Sequence, residues 1–171
     1  MEGNAGAVAD ALAGAQEDAD DRDIYRDELD SEVRGEFAFD DPRAAGCAAA
    51  AWLHLRDGER AAVHAQQALG AYASIPAGRR PFSLVTGVTI DLAAAHLLAG
   101  RLDKAADELE AVFSLPQELR NVSLAGRIAK VRDILFSPGV ISKAKPKELE
   151  GRIADWLNET AAKPDAVDGV T

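Results

Sequence analysis

At 171 residues the chain is the size of one ordinary domain, and its 47% hydrophobic residues suffice for a sizeable core. Ala and Leu dominate that fraction while aromatic residues make up only 5%, a balance that favours closely packed helices over strands. No run of about 18 uncharged apolar residues occurs, so no membrane span is expected. The start, MEGNAGAVADALAGAQEDADD, lacks the basic leader and cleavage site of a secretory signal, and a cytoplasmic location is expected. The single Cys47 has no partner for an internal disulfide, in keeping with a reducing compartment.

The net charge of −10 is unevenly placed. Residues 1–41 carry 14 acidic and 3 basic side chains, and the remainder carries 15 against 16. Affinity for nucleic acid comes from Lys and Arg displacing counterions from phosphates, so this balance argues against direct DNA or RNA binding.

Taken in chain order, residues 1–21 contain Val8 and Leu12 as their only large aliphatic side chains beyond Met1 and read as an acidic, disordered or weakly helical tail. Residues 22–41 read as a short amphipathic helix, with Ile24, Tyr25, Leu29 and Val33 at helical spacing, and an extended segment through Phe37 and Phe39. Three of the chain's seven Phe and Tyr residues lie here, so this segment is expected to cap the helical domain that follows over residues 42–162.

Asp41-Pro42 is a helix start, with Asp as cap and Pro in the first turn. The run to Arg56 is apolar nearly all round and is expected to be buried between neighbours. Gly58 reads as its breaker, and a second helix to Ala73 carries Ala61, Ala65, Ala68, Leu69 and Tyr72 on one face. The loop Ile75-Pro76-Ala77-Gly78-Arg79-Arg80-Pro81 leads to a third helix ending near Ala99. Gly100 turns the chain into a fourth, Leu102 to Leu115, closed by Pro116. A fifth helix is expected over Leu119 to Phe136 and a sixth over Pro146 to Ala161, with residues 163–171 a flexible tail.

Helix, Gly turn, amphipathic helix and Pro thus occur twice, 40 residues apart from Pro76 to Pro116. A two-helix period of this length is the mark of an α-solenoid, each unit burying its open face on the next. The fold class expected is all-α: a solenoid of antiparallel helix pairs with a C-terminal capping helix, whose seam is Leu149, Ile153, Trp156 and Leu157.

The segment AHLLAGRLDKAADELEAVFSLP resembles one tetratricopeptide repeat seen from its turn onward. Gly100 stands at the turn glycine, Leu102 at the aromatic position after it, Ala105 at the small position where helices touch, and Pro116 near the closing proline. Ala61, Ala65 and Ala68 take the small positions in the earlier unit, with Gly58 displaced by about two residues. More narrowly, GEFAFDDPRAAG, HAQQAL, IPAGRRPFS and IDLAAAHLLAGRLDKAADELEAVFSLPQELR are similar to the C-terminal helical segment of actinobacterial XRE-type helix-turn-helix regulators. That resemblance implies a sensory or protein-binding role in transcription regulation. Residues 1–41 hold no recognisable helix-turn-helix, so DNA binding does not carry over, and the chain reads as a short relative or as the regulatory portion of such a regulator.

Residues able to carry chemistry are few. Cys47 and His54 lie seven residues apart, two helical turns, yet no Asn or Asp is placed to orient the His; Cys47 reads instead as a buried small hydrophobe. His54, His64 and His96 show no i, i+4 pair, so no metal is expected, and His96 reads as a hydrogen-bonded core residue. Arg79-Arg80 lacks the strand and glycines of a phosphate loop and reads as a solvated loop or partner contact, the acidic leader or a second copy included. Lys143, Lys145 and Lys147 read as a solubilising linker.

The expectation is therefore a binding module for a peptide or protein, with neither catalytic residues nor a cofactor. The alternatives are a homodimeric structural or assembly protein and a small Cys/His enzyme.

Overall fold

In the computed structural model, residues 6–11, 13–14, 41–138 and 147–161 are described. Six helices of three turns or more are described within the last two segments: α1 (Asp41–His54), α2 (Gly58–Ser74), α3 (Phe82–Leu98), α4 (Leu102–Phe113), α5 (Val122–Leu135) and α6 (Lys147–Ala161). Short 3-10 turns at Ala77–Arg79 and Gln117–Leu119 join α2 to α3 and α4 to α5. The described residues contain no strand, and the protein is all-α.

Packing runs between nearest and next-nearest helices in chain order. α1 packs on α2 and α3, α3 on α2, α4 and α5, and α6 on α4 and α5. Among the described helices α3 is accordingly the most buried: Thr86, Gly87, Val88 and every residue from Ile90 to Leu97 are buried. The all-round apolar α1 is not. Only Ala45, Ala48, Ala49 and Trp52 are buried, one stripe at i, i+3 and i+4 spacing. An alanine presents a single methyl, so leaving the other face of α1 in water costs little, and apolar composition overstated its burial.

Among the described residues two clusters make the core. In the first, Ala61, Ala62, Ala65 and Ala68 of α2 meet Ala45, Ala49 and Trp52 of α1 and Val88, Leu92 and Ala95 of α3, closed by Tyr72. In the second, Ile90 and Leu97 of α3, Leu109 and Val112 of α4, and Leu124, Ile128, Val131 and Leu135 of α5 meet Leu149, Ile153 and Trp156 of α6. Residues 6–11 and 13–14 are helical, and Val8 and Ala9 pack against the alanine cluster. Two small apolar side chains one position apart find there a surface of methyl groups shallow enough to meet them. The expected segment at 22–40, Lys143, Lys145 and the terminal stretch 163–171 lie outside the described residues.

The turns repeat in detail. Leu55, Arg56 and Asp57 donate from their backbone N–H to the carbonyls of Ala51, Leu53 and Trp52; Ala99, Gly100 and Arg101 donate in the same way to Ala95, Leu97 and His96. Arg56 and Gly100, 44 residues apart, are the equivalent positions, and both take a positive φ, 58° and 74°. Arg56 rather than Gly58 therefore supplies the left-handed residue of the first turn. Gly58 has another reason to be glycine. It is the buried first residue of α2, capped by Asp57, whose carboxylate accepts from the Arg60 N–H at 3.0 Å. An alanine Cβ there would lie 2.6 Å from Ala95 O and 2.7 Å from Leu98 Cβ, so only glycine lets α2 start this close to α3.

The loops after α2 and α4 also match, now 40 residues apart from Arg80 to Arg120. Arg79 and Arg80 donate their backbone N–H to Pro76 and Ala77, as Leu119 and Arg120 do to Pro116 and Gln117. The change from 44 to 40 is about one helical turn. It is visible in the helices themselves, 17 residues in α2 and 12 in α4. Helix α5 starts at Val122 rather than Leu119 because residues 117–119 form the 3-10 turn and Asn121 caps the helix, its side chain accepting from Leu124 N.

Candidate functional site

The Arg79-Arg80 loop divides into two roles. Arg80 donates Nε to Ile75 O at 2.7 Å and Nη2 to Ala73 O at 2.7 Å, so it closes the end of α2 by satisfying carbonyls that the helix leaves free. Arg79 is exposed, and its side chain makes no hydrogen bond or ion pair among the described residues. Beside Arg80 opens a groove of about 360 Å³, walled by Phe82, Val85 and Thr89 of α3, by Val112 of α4 and by Leu115 in the loop that follows it. Phe82 is 40% exposed at its mouth.

The equivalent place one unit later is filled. Arg120 donates Nε to Leu115 O at 2.9 Å, repeating the Arg80 contact, and gives Nη1 to Glu159 at 2.8 Å. Its guanidinium lies 5.0 Å over the Trp156 ring, and Trp156 donates its indole N–H to Val112 O at 3.2 Å. Arg120 is thereby buried, whereas Arg80 is exposed.

A second polar group sits on the opposite flank of α3. The Asp91 carboxylate is buried and pairs with Arg127 of α5. Burial pushes its pKa up, and Arg127, Lys130 and His54 pull it back in part. Gly87, one turn before Asp91, seats this guanidinium, since a Cβ there would lie 3.1 Å from Arg127 Nε. Sequence reasoning passed over Asp91. The available signal was a lone carboxylate within the apolar run Thr89-Ile90-Asp91-Leu92-Ala93-Ala94-Ala95, which requires a cation on whatever packs against it.

His96 is buried, and its Nδ1 accepts from Arg101 Nε at 3.1 Å, while Arg101 Nη1 reaches Glu59 at 2.6 Å. Accepting at Nδ1 requires that nitrogen to be unprotonated. Burial first, then the positive charges of Arg101 and Lys104, hold its pKa below the ordinary value. The chain His96, Arg101 and Glu59 ties the second turn to the start of α2.

The structure corrects the reading of Cys47. It is exposed, as is His54. Helix α1 turns its Ala45, Ala48, Ala49 and Trp52 stripe inward, and position 47 falls on the outer side of that stripe. No hydrogen bond joins Cys47 to His54 among the described residues. Nor do the described residues hold a group of three His, Cys, Asp or Glu side chains able to bind a metal ion, or a helix long and apolar enough to cross a membrane. Ala61, Ala65, Ala68 and Ala105 are fully buried, Gly100 sits in the second turn, Leu102 is half-buried at the start of α4, and Pro116 is exposed where the loop to α5 begins.

Thus the described residues offer an apolar groove with an arginine on its wall, a buried ion pair between α3 and α5, and no nucleophile joined to a base. Compared with known proteins, the chain matches no protein-family model, no curated protein and no solved structure.

Proposed function

We propose that this chain is a tetratricopeptide-like α-solenoid of antiparallel helix pairs that binds a peptide or protein partner. The observation that carries the reading is the order of packing. The main helix contacts join elements one or two places apart in the chain, with α3 at the centre meeting α1, α2, α4 and α5, in keeping with stacked helix pairs. The turn hydrogen bonds repeated at Arg56 and Gly100 support the same reading, as does the buried set Ala61, Ala65 and Ala68, which recurs 44 residues later as Ala105, Leu109 and Val112. In such a stack α1, α3 and α5 form one row, and Asp91 with Arg127 bridges two of its members. A row of this kind is an extended surface for a partner chain.

The test is a randomised peptide library presented to the full chain, with enriched sequences remeasured in solution by fluorescence anisotropy. One sequence class with saturable binding is expected; saturable binding by none defeats the reading. The resemblance to XRE-type regulators supports reading the chain as the sensory portion or a relative of a transcriptional regulator. The adjoining coding sequence tests this: an in-frame helix-turn-helix domain makes the chain the regulatory portion, and none makes it a short relative.

A homodimeric assembly role is favoured by one observation, the exposed apolar side chains at the start of α5 and its end: Leu119 at 46%, Val122 at 89% and Phe136 at 44%. Sedimentation across protein concentration decides it, since a monomer throughout removes this second reading.

A further inference from the structure

The α2, α4 and α6 helices present equivalent buried positions 44 residues apart. Ala61, Ala105 and Leu149 form one set, Ala65, Leu109 and Ile153 the next, and Ala68, Val112 and Trp156 the third. At the last level Trp156 lies beneath the Arg120 guanidinium and Glu159, three residues on, closes the arrangement with a carboxylate. At the level before it the arginine is Arg80, but Val112 stands where the indole would be and Leu115 where the acid would be. The groove of about 360 Å³ is what remains. Arg80 uses Nε and Nη2 on its own loop, while Nη1, the atom Arg120 gives to Glu159, makes no hydrogen bond among the described residues.

Resting on the binding-module reading above, we propose that this groove receives an aromatic side chain from a helical segment of a partner protein. The partner's carboxylate three residues later pairs with Arg80. The chain's own α6 is the template, because it solves the same recognition problem on Arg120. The positive loop of Arg79 and Arg80 and the apolar walls of Phe82, Val85 and Val112 suit such a segment in charge and in shape. An aromatic residue entering the groove exchanges exposed apolar surface on both sides for contact, and the carboxylate fixes its direction.

The experiment uses the full chain and a fluorescent peptide of residues 147–161, KELEGRIADWLNETA, followed by anisotropy. Saturable binding is expected. It should weaken about tenfold or more in the Arg80→Ala protein, in the Ala111→Trp protein, and with the peptide carrying Trp156→Ala. Ala111 is an exposed residue on the groove wall, so its tryptophan blocks the groove without touching the Arg80 clamp. Arg79→Ala and Arg120→Ala should change affinity by less than about threefold. Glu159→Gln in the peptide should weaken binding to the native chain and add nothing to the loss in Arg80→Ala.

Binding that survives Ala111→Trp, or that follows Arg120 instead of Arg80, overturns the proposal, the latter because the peptide is then replacing α6 in its own seat. Tyr25 with Glu28, and Phe37 with Asp40, have the same aromatic-to-acid spacing within the leader. If replacing Tyr25 and Phe37 by Ala raises affinity about tenfold, the chain's own leader is the occupant and the proposal fails. Absence of binding also overturns it. A library peptide that still binds, with an affinity unaffected by Arg80→Ala, would leave the binding-module reading standing without this site.

Discussion

Helices α2 and α6 occupy comparable places in the chain's repeat but are held by different means. Helix α2 buries four alanines and Tyr72, starts at a glycine pressed against α3, and carries no large aliphatic side chain among its fully buried residues. Helix α6 buries Leu149, Ile153 and Trp156 and is tied by polar contacts: Arg120 to Glu159, Trp156 to Val112 O, and Arg152 to Glu110 at 2.8 Å while stacking over Phe113. Small side chains bring backbones close and leave no spare volume. Large ones hold helices further apart and concentrate the burial in a few residues. The first region should therefore suffer from added atoms and the second from removed ones.

Truncating the large anchor is the most damaging change. Trp156→Ala removes a buried indole, its hydrogen bond and the surface on which Arg120 stacks, and should cost about 3–5 kcal/mol, read from urea unfolding. The corresponding position in α2 is already alanine, so the contrast breaks if Trp156→Ala proves mild.

Adding atoms to the close-packed regions comes next. Gly58→Ala places a methyl against the Ala95 carbonyl and Leu98, and Ala105→Leu adds three carbons at a site with no exposure; each should cost about 1–3 kcal/mol. An unchanged melting temperature in Ala105→Leu would show that α3 and α4 do not meet as closely as α1 and α2.

A smaller, opposite effect is expected at the first turn. Arg56 is an exposed, non-glycine residue at φ 58°, and Arg56→Gly should raise stability by about 1 kcal/mol or less, while Gly100→Ala at φ 74° should lower it. If both changes destabilise, Arg56 is contributing through its side chain and the two turns are not equivalent.

The pH dependence of the second turn is the finest test. The folded protein binds a proton at His96 less readily than the unfolded chain does. Its contribution is therefore complete above the ordinary pKa of 6.5 and falls away as pH drops below that value through the lowered folded pKa. Asp91 has the reverse sign: its raised pKa favours the protonated form in the fold, so its contribution is greatest below about 3.8 and is lost as pH rises through the folded value. The urea midpoint of the native chain should fall between pH 7.5 and pH 5.5 more steeply than that of His96→Gln. Equal slopes would mean that His96 is not held buried against Arg101 in solution.

The helices and their order were legible in the residues. Ala and Leu runs punctuated by Asp41-Pro42, Pro76, Gly100 and Pro116 announce helix starts and stops because these residues act through local backbone geometry, which needs no partner. The inward seams of α5 and α6 were legible too, since large aliphatic side chains at i, i+3 and i+4 have one sensible face.

The alanine-rich part gave no such direction. When six of the fourteen residues of α1 are alanines spread round the helix, composition cannot say which face is buried, and only the packing against α2 and α3 turns Cys47 outward and Trp52 inward. The role of Gly58 depends on a carbonyl of Ala95, 37 positions away in the chain, and the pairing of Asp91 with Arg127 on the meeting of α3 with α5. The groove beside Arg80 exists because a valine at position 112 faces an arginine that the loop holds in place, a coincidence of volumes that arises only once the helices are stacked. Sequence thus determined what acts along the chain, and tertiary structure decided what depends on volume and charge brought together across it.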